Sequence, residues 1–546
     1  MSKSVIEHVL SRLQEIGIRD IFGVAGDFAF PIDDAIATNS KLRWIGSCNE
    51  LNAAYSADGY ARVYGVAALC TTYGVGELSA INGVAGSYAE HVPVFHLAGM
   101  PPSRVQAARR VVHHTLGNGE FDLFYRIAEP VVCARAIMTP ENCAAETERL
   151  IAAALYHQRP VSMAFPTDHA TSPVIGTSQP VPEPRSDPVA LAAAIKAVTT
   201  VIDTARSVCV LPGVMVARFG LSAQASDFVK SLNLPYATMF GDKSVLDETL
   251  PNYIGMYDGK LMNEEVRAFV EGCDLVIGIG AVLTDFNSGS FTARIDRSKS
   301  INIRHHSVRV GEAVYDNVEM KDILVALTGK VSRRDLKVTK APGLGKPIGS
   351  HHDPITVEYL YPRWEAMLRE KDILVTETGT SSMGMAFANM PGGSTFHNQT
   401  LWGSIGWATP ASFGAALAAP DRRVILITGE GSHQLTAQEI SQFYRLGLKP
   451  IIFVLNNDGY LIERLLAKNF DSYYNDLVKW RYHKLPEALG CEGWFTARVT
   501  TCGELDSAIK KAESSGSGAY IEVVTDRKAA SPLSMRLHES IATLYS

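Results

Sequence analysis

Two short polar clusters in the last third of the chain carry the residue types and spacing that could do chemistry. Gly429-Glu430-Gly431-Ser432 follows the apolar run RRVILIT, and Asn456-Asn457-Asp458-Gly459 follows PIIFVL. Together they offer carboxylate, amide and carbonyl oxygens, the donors that a hard cation such as Mg²⁺ accepts alongside phosphate. Between them LTAQEISQFYRLG has apolar residues at helical spacing and ends at Gly447. A helix N-terminus therefore lies between two strand ends, where it favours an anion. Gly429 and Gly431 are expected to relax the turn, since glycine reaches conformations that a Cβ resists. This is the pattern of a site for a divalent cation and a diphosphate. A Gly-acid-Gly turn alone would fit any βαβ unit; the paired Asn after the next strand is what makes it a site.

Three further groups could handle protons. Asp27 sits in a glycine-flanked turn, GVAGDFAFP, and His113-His114 lie in a loop, VVHHTLGNGEF. Alone, Asp27 reads as a turn former, and the histidines as solvent-facing groups or weak metal ligands. Glu50 begins a helix after a strand end, in CNELNAA, and alone reads as a surface acid favoured by the helix dipole. Glu463 ends the 429–463 stretch.

The elements that must position these residues follow from patterning. The segments IRDIFGVAG, LRWIGSC, VAALCTTYG, VPVFHLAG and PVSMAFP are short apolar strands alternating with helices. That alternation predicts a parallel sheet covered on both faces. SVCVLPG, DLVIGIG and SINIRHH repeat the pattern, and RRVILIT, PIIFVL and AYIEVVT repeat it again. Proline-rich stretches at 171–188 and 341–354 read as linkers. The expected fold is α/β, with three doubly wound parallel-sheet domains at 1–172, 188–335 and 355–546. The GIG of DLVIGIGAVLTD lacks a third glycine and reads as a strand-to-loop turn rather than a dinucleotide fingerprint.

Composition narrows the classes. The chain has 546 residues, 46% of them hydrophobic and 20% charged, with net charge −6. It has no long basic run, which argues against nucleic acid or an anionic membrane as a partner, and no apolar run of transmembrane length. MSKSVIEHVLSRLQEIG reads as an amphipathic helix, not a secretory signal. The eight Cys form no CxxC pair and read as buried thiols in a reducing compartment. A cytoplasmic location is expected.

The 429–463 stretch resembles the thiamine diphosphate motif, GDG followed by NN, in the form found in pyruvate, indolepyruvate and phenylpyruvate decarboxylases. The resemblance extends over nearly the whole chain. NELNAAYSADGYAR is almost identical to the family's NELNAAYAADGYAR, and GDF, HHTLG and GYLIE match three more of its positions. It implies the thiamine diphosphate-binding fold: an N-terminal pyrimidine-binding domain, a central domain without cofactor and a C-terminal diphosphate-binding domain. Implied Mg²⁺ ligands are Glu430, Asn457 and the Gly459 carbonyl. Glu430 stands where the family has Asp; being one methylene longer, it must fold back to reach the ion, and binding is expected to survive, somewhat weakened.

The resemblance also implies roles for single residues. Glu50 hydrogen-bonds the aminopyrimidine ring, as a buried carboxyl that could exchange a proton near neutral pH. In LWGSIGWATP, the Gly403 carbonyl accepts from the cofactor's amino group and Ile405 is the apolar wedge under the bent cofactor. Gly429, Gly431 and Ser432 join Asn457 at the diphosphate. Asp27, His113 and His114 handle protons after CO₂ is lost, and Glu463 lies near the substrate carboxylate, where desolvation favours that loss. Phe286, Thr378, Ser382, Ile462, Leu466 and Met535 are the implied substrate pocket. Phe286 is bulky, as in enzymes favouring pyruvate, whereas Ser382 leaves room. No Cys occurs in VLPGVMVARFG, so activation through a thiol there is not expected.

The implied activity is decarboxylation of a 2-oxo acid (pyruvate, branched-chain, phenylpyruvate or indolepyruvate) to an aldehyde and CO₂. The active unit would be a homodimer or homotetramer with active sites between subunits. Two rival readings are an acetohydroxyacid synthase-like carboligase, which generally lacks the His pair, and a catalytically inactive regulatory homologue, supported only by Glu430.

Overall fold

The computed structural model describes residues 3–330, 333–334 and 338–540. The chain falls into two units: Met1–Pro184 with Thr409–Asp421 and Thr436–Leu448, and Arg185–Ala408 with Arg422–Leu435 and Lys449–Ser546.

The first unit holds six strands: β1 (Asp20–Gly23), β2 (Arg43–Gly46), β3 (Ala67–Thr71), β4 (Val94–Met100), β5 (Ala134–Ile137) and β6 (Val161–Pro166). They form one parallel sheet in the order β2-β1-β3-β4-β6-β5. Both faces are covered by helices, which is why β3, β4 and β6 are buried at every residue instead of alternating. The N-terminal helix, Val5–Glu15, shows how local sequence sets an element. Ser4 Oγ accepts from the Glu7 N–H at 3.3 Å while Glu7 Oε2 accepts from the Ser4 N–H at 2.8 Å. Losing such a cap costs ~1 kcal/mol. Val5, Ile6, Val9, Leu10 and Leu13 then bury one stripe against the sheet.

The second unit holds two sheets. β7 (Val208–Pro212), β8 (Tyr236–Thr238), β9 (Tyr253–Met256), β10 (Leu275–Ile279), β11 (Ser300–Ile303), β12 (Ser307–Val310) and β13 (Ala313–Asp316) run in the order β13-β12-β11-β10-β7-β8-β9. β12 runs antiparallel to both β11 and β13, so the β12–β13 hairpin closes one edge of an otherwise parallel sheet. β14 (Ile373–Thr376), β15 (Thr395–His397), β16 (Val424–Gly429), β17 (Ile451–Asn456), β18 (Phe495–Val499) and β19 (Ala519–Val524) form a fully parallel sheet ordered β15-β14-β16-β17-β19-β18. Counted from its own first strand, this order is the same as that of the first sheet. The expected α/β class with three parallel sheets is what the structure shows, with the hairpin as its departure.

A buried ion pair links the central and last segments of this unit. Lys243 Nζ lies 3.0 Å from Glu248 Oε2, both side chains fully buried, and Nζ also donates to the Ala388 carbonyl at 2.8 Å. Removing one member of such a pair costs ~3–5 kcal/mol, because the other charge is left buried and alone.

Two local expectations are corrected. The helix after β16 starts at Glu430, with no intervening turn, and is interrupted: Glu430–Thr436 is α-helical, Ala437–Glu439 is a 3₁₀ turn and Ile440–Arg445 is α-helical again. Of the cysteines, Cys48 is exposed and Cys133 half-buried, while the other six are buried; all eight are free thiols. The expected C-terminal helix is present at Pro532–Glu539, and its sequence beyond Ser540 lies outside the described residues. Among the described residues no helix is long and apolar enough to cross a membrane.

Candidate active site

In the last sheet the functional side chains sit at the carboxyl ends of neighbouring parallel strands, where α/β sheets bind ligands. β16 and β17 are adjacent, with Gly429 opposite Leu455. Glu430, first residue of its helix, is 3% exposed, and its Oε1 accepts from the N–H groups of Asn457 at 3.0 Å and Gly459 at 2.9 Å. The longer acid thus spans from one strand end to the next. Burial pushes its carboxyl up to about 7, against the pull of those backbone donors. The Asn457 Oδ1 is buried and accepts no hydrogen bond. Asp458 and Gly459 turn through φ +61° and +141°. A Cβ on Gly459 would stand 2.5 Å from Arg464 Nη2 and 2.6 Å from the Asn475 carbonyl, so only glycine fits.

The two glycines at the helix start behave differently from expectation, since neither adopts positive φ. Gly431 is needed for space: a Cβ there would meet the Tyr460 ring at 2.4 Å. At Gly429 no protein atom lies within 4 Å of where a Cβ would stand, so the backbone is open to close approach by a ligand. Ser432 is buried in the first turn of the same helix.

The residue after β14 is Glu377, which no sequence motif singles out. It is fully buried, and its carboxylate accepts from the N–H groups of Gly406 and Ala408, both at 3.2 Å, and of Thr378 at 3.1 Å. Burial pushes this carboxyl up to about 7. With Gln399 Oε1, which accepts from the Ser404 N–H at 2.9 Å, Glu377 clamps the loop that carries Gly403 (φ +66°) and the half-buried Ile405. A charged residue closing the apolar run DILVT was the only sequence signal for it.

The proton-handling candidates of the first unit lie beyond the carboxyl ends of β1, β2 and β4. His113 Nε2 is 2.6 Å from Asp27 Oδ2, and His114 Nε2 is 3.8 Å from Asp27 Oδ1. His113 stacks on Phe28 with centroids 4.8 Å apart, and His114 is held at φ +61°. Among the described residues these three form a His/Asp group whose ligand atoms, one each, lie within 4.8 Å of one another. Glu50 opens its helix after the Asn49 cap, whose side chain accepts from the Asn52 N–H at 2.8 Å. Glu50 is half-buried rather than buried, because a first-turn side chain projects from the sheet edge.

The six implied pocket residues divide. Phe286 and Leu466 line a cavity of about 120 Å³ with Phe240, Leu261 and Met383; Leu533 and Leu537 complete its apolar wall, and Asp258, Asp285 and Ser290 are its polar members. Ile462 packs against the same apolar cluster. Thr378 faces Gly403 instead, its Cγ2 4.0 Å from that glycine's Cβ position. Ser382 is buried and donates to the Gly379 carbonyl at 3.0 Å, turned into its own helix. Met535 is 40% exposed, because Leu533 and Leu537 one turn apart take the inward face and Met535 lies on the other side. Glu463, next to Ile462, is exposed.

An α/β protein that gathers a carboxylate, an amide oxygen and glycine backbone at adjacent parallel-strand ends offers the donors that a hard cation and a phosphate accept. Comparison with known proteins narrows the class. Family models described as Thiamine pyrophosphate enzyme match three segments: the N-terminal TPP binding domain over residues 3–121, the central domain over 195–326 and the C-terminal TPP binding domain over 377–523. The chain belongs to the thiamine pyrophosphate enzyme family, whose cofactor is the thiamine diphosphate named above. It is 39% identical over 529 residues to a protein named alpha-keto-acid decarboxylase from Mycobacterium leprae, covering 95% of this chain and 92% of the relative. Proteins of the same name from Mycobacterium bovis (38% over 512 residues) and Mycolicibacterium paratuberculosis (39% over 515) each cover 93% of this chain and 91% of their own length.

The residues present fit that cofactor and a magnesium ion. The donors are hard oxygens, Asn457 Oδ1 is buried without a hydrogen bond, and Gly429 leaves its backbone open.

Proposed function

We propose that this chain catalyses the non-oxidative decarboxylation of a 2-oxo acid to an aldehyde and CO₂, with thiamine diphosphate and Mg²⁺. The observation that carries this reading is the Asp27–His113–His114 cluster, on a chain that also presents the Glu430, Asn457 and Gly459 oxygens. Identity of 39% and 38%, over 95% and 93% of this chain, to proteins named alpha-keto-acid decarboxylase supports it.

In this reading Glu430, Asn457 Oδ1 and the Gly459 carbonyl hold magnesium, while Gly429, Gly431 and Ser432 receive the diphosphate. The Gly403 carbonyl would accept from the aminopyrimidine, Ile405 would pack against the cofactor as an apolar support, and Glu50 would hydrogen-bond the pyrimidine ring and hold a proton there. Bound thiamine diphosphate supplies the nucleophilic carbon and the electron sink that loss of CO₂ requires. Asp27 orients His113, and His113 and His114 hold and return the proton that the product carbon needs. Glu463 disfavours the substrate carboxylate beside it.

The three-segment division at 1–172, 188–335 and 355–546 belongs to the same proposal, with cofactor held by the first and third segments. So does a cytoplasmic homodimer or homotetramer with active sites between subunits; half-buried Glu50 and exposed Glu463 are surfaces that a second copy would cover. The test is aldehyde formation from pyruvate, 2-oxoisovalerate, phenylpyruvate and indolepyruvate with thiamine diphosphate and Mg²⁺ present. An acyloin as the main product would replace the proposal with a carboligase. Absence of thiamine diphosphate binding in calorimetry would replace it with a non-catalytic homologue.

A further inference from the structure

The cavity around Phe286 contains a group that no role above absorbs. Asp258 lies after β9, in Met256–Leu261, and is 2% exposed. Its Oδ1 is buried and has no hydrogen-bond partner. An unpartnered buried polar atom is costly, and it persists where the surrounding structure enforces it.

The structure does enforce it. Asp258 and Gly259 are pinned against the turn 289–292. A Cβ on Gly289 would stand 2.2 Å from the Asp258 carbonyl, and the Lys260 N–H donates to Thr292 Oγ1 at 2.8 Å. That turn is itself strained, with Gly289, Ser290 and Phe291 at φ +57°, +56° and +61°. The backbone that carries the Asp258 side chain is therefore held against this turn, at the cavity wall.

The rest of the wall is apolar and flat. Phe240 and Phe286 stack with centroids 5.5 Å apart and planes at 29°, and Met383 and Leu537 face the same space. A volume of about 120 Å³ is on the scale of the roughly 150 Å³ apolar cavity that holds a benzene molecule. Phe286 closes one wall and leaves a space on the scale of a planar aromatic group. Burial pushes the Asp258 carboxyl up to about 7, and in either protonation state it keeps an oxygen that can accept.

We propose that Asp258 is a specificity-determining residue, and that the preferred 2-oxo acid has an aromatic side chain ending in a hydrogen-bond donor that Asp258 accepts. This rests on the decarboxylase reading above. Donor chemistry of this kind comes from a phenol O–H or an indole N–H.

The experiment uses the full-length holoenzyme and compares kcat/KM within two pairs, quantifying aldehyde by chromatography. The first pair is 4-hydroxyphenylpyruvate against phenylpyruvate. The second is indolepyruvate against its benzothiophene counterpart, in which sulfur replaces N–H. In at least one pair the donor compound is expected to lead by about tenfold or more, since a site built for a hydrogen bond rejects the analogue that lacks it. The leading pair identifies the source. In Asp258→Leu the ratio should fall to about one or below; in Asp258→Asn, which keeps size and a weaker neutral acceptor, it should fall several-fold. Wild-type ratios at or below one in both pairs would overturn the inference with no variant needed. So would an unchanged ratio in folded Asp258→Leu, or in Asp258→Asn where the leucine variant does not fold. No turnover of any 2-oxo acid, pyruvate included, would instead overturn the decarboxylase reading itself.

Discussion

Replacing Glu377 by Gln isolates the effect of a buried charge on the loop that carries Ile405. The wild-type carboxyl is raised from 4.5 to about 7 by burial, while the Ala408, Thr378 and Gly406 N–H groups pull it down. Because the folded value lies above the unfolded one, its stabilising contribution is fully present below about pH 4.5 and is lost as pH rises through about 7. The span between those values, at about 1.4 kcal/mol per pH unit, is linked to about 3 kcal/mol. Gln cannot ionise, so Glu377→Gln removes that dependence. It also turns an amide N–H₂ toward a backbone donor, a cost that does not vary with pH. The Tm difference, variant minus wild type, should therefore rise between pH 5 and pH 8. With 546 residues at about 2.1 cal/mol/K each, the unfolding entropy is ~1.1 kcal/mol/K, so the rise should be about 3 °C. Thermal melts of both proteins at pH 5, 6, 7 and 8, with and without thiamine diphosphate and Mg²⁺, measure it. A difference that stays flat to within about 1 °C would refute the idea that Glu377 is buried as a strained, titrating acid.

Asn457→Leu should raise or leave unchanged the Tm without cofactor, since a buried unsatisfied acceptor costs ~1–3 kcal/mol, yet weaken Mg²⁺-dependent thiamine diphosphate binding at least about tenfold in calorimetry; unchanged binding would remove Asn457 from the ligand set. Gly459→Ala forces a Cβ against Arg464 and Asn475 at φ +141°; it should lower the Tm and weaken cofactor binding together, and a soluble variant with normal values of both would contradict the clash. Asp27→Asn should cut kcat by about 10²-fold, on the scale of acid–base contributions, with a stability change below ~1 kcal/mol because the Asp27–His113 pair is largely exposed. A large Tm loss with normal kcat would make the pair structural.

The sequence by itself determined the elements and the donors that lie close to them along the chain. Apolar runs ending in Gly-Glu-Gly and Asn-Asn-Asp-Gly give β16 and β17, and one βαβ crossing brings Glu430 to Asn457 and Gly459, because adjacent parallel strands end on the same edge. Ser4 and Glu7 fix a helix start within four residues. The strands β5, β8, β9, β14, β15 and β18, and the β12–β13 hairpin, did not stand out: β8 and β15 have only three residues, and β13 and β18 leave most of their residues exposed or half-buried, so they give no sustained apolar run.

What only the tertiary structure decided is which polar groups are taken out of water, and which side of a helix faces in. Glu377 and Asp258 look like ordinary acids beside apolar runs. Their burial comes from the 404–408 loop and the 289–292 turn, segments 27 to 34 residues away whose approach no local pattern encodes. Met535 and Leu537 differ little in the sequence, but Leu533 and Leu537 share the face turned to the cavity and Met535 does not. Glu50 was placed by its motif, while its half-buried state follows from standing at a sheet edge. Local sequence sets backbone conformation through short-range sterics and hydrogen bonds; desolvation is a property of everything packed around a group, and exists only once the chain has folded.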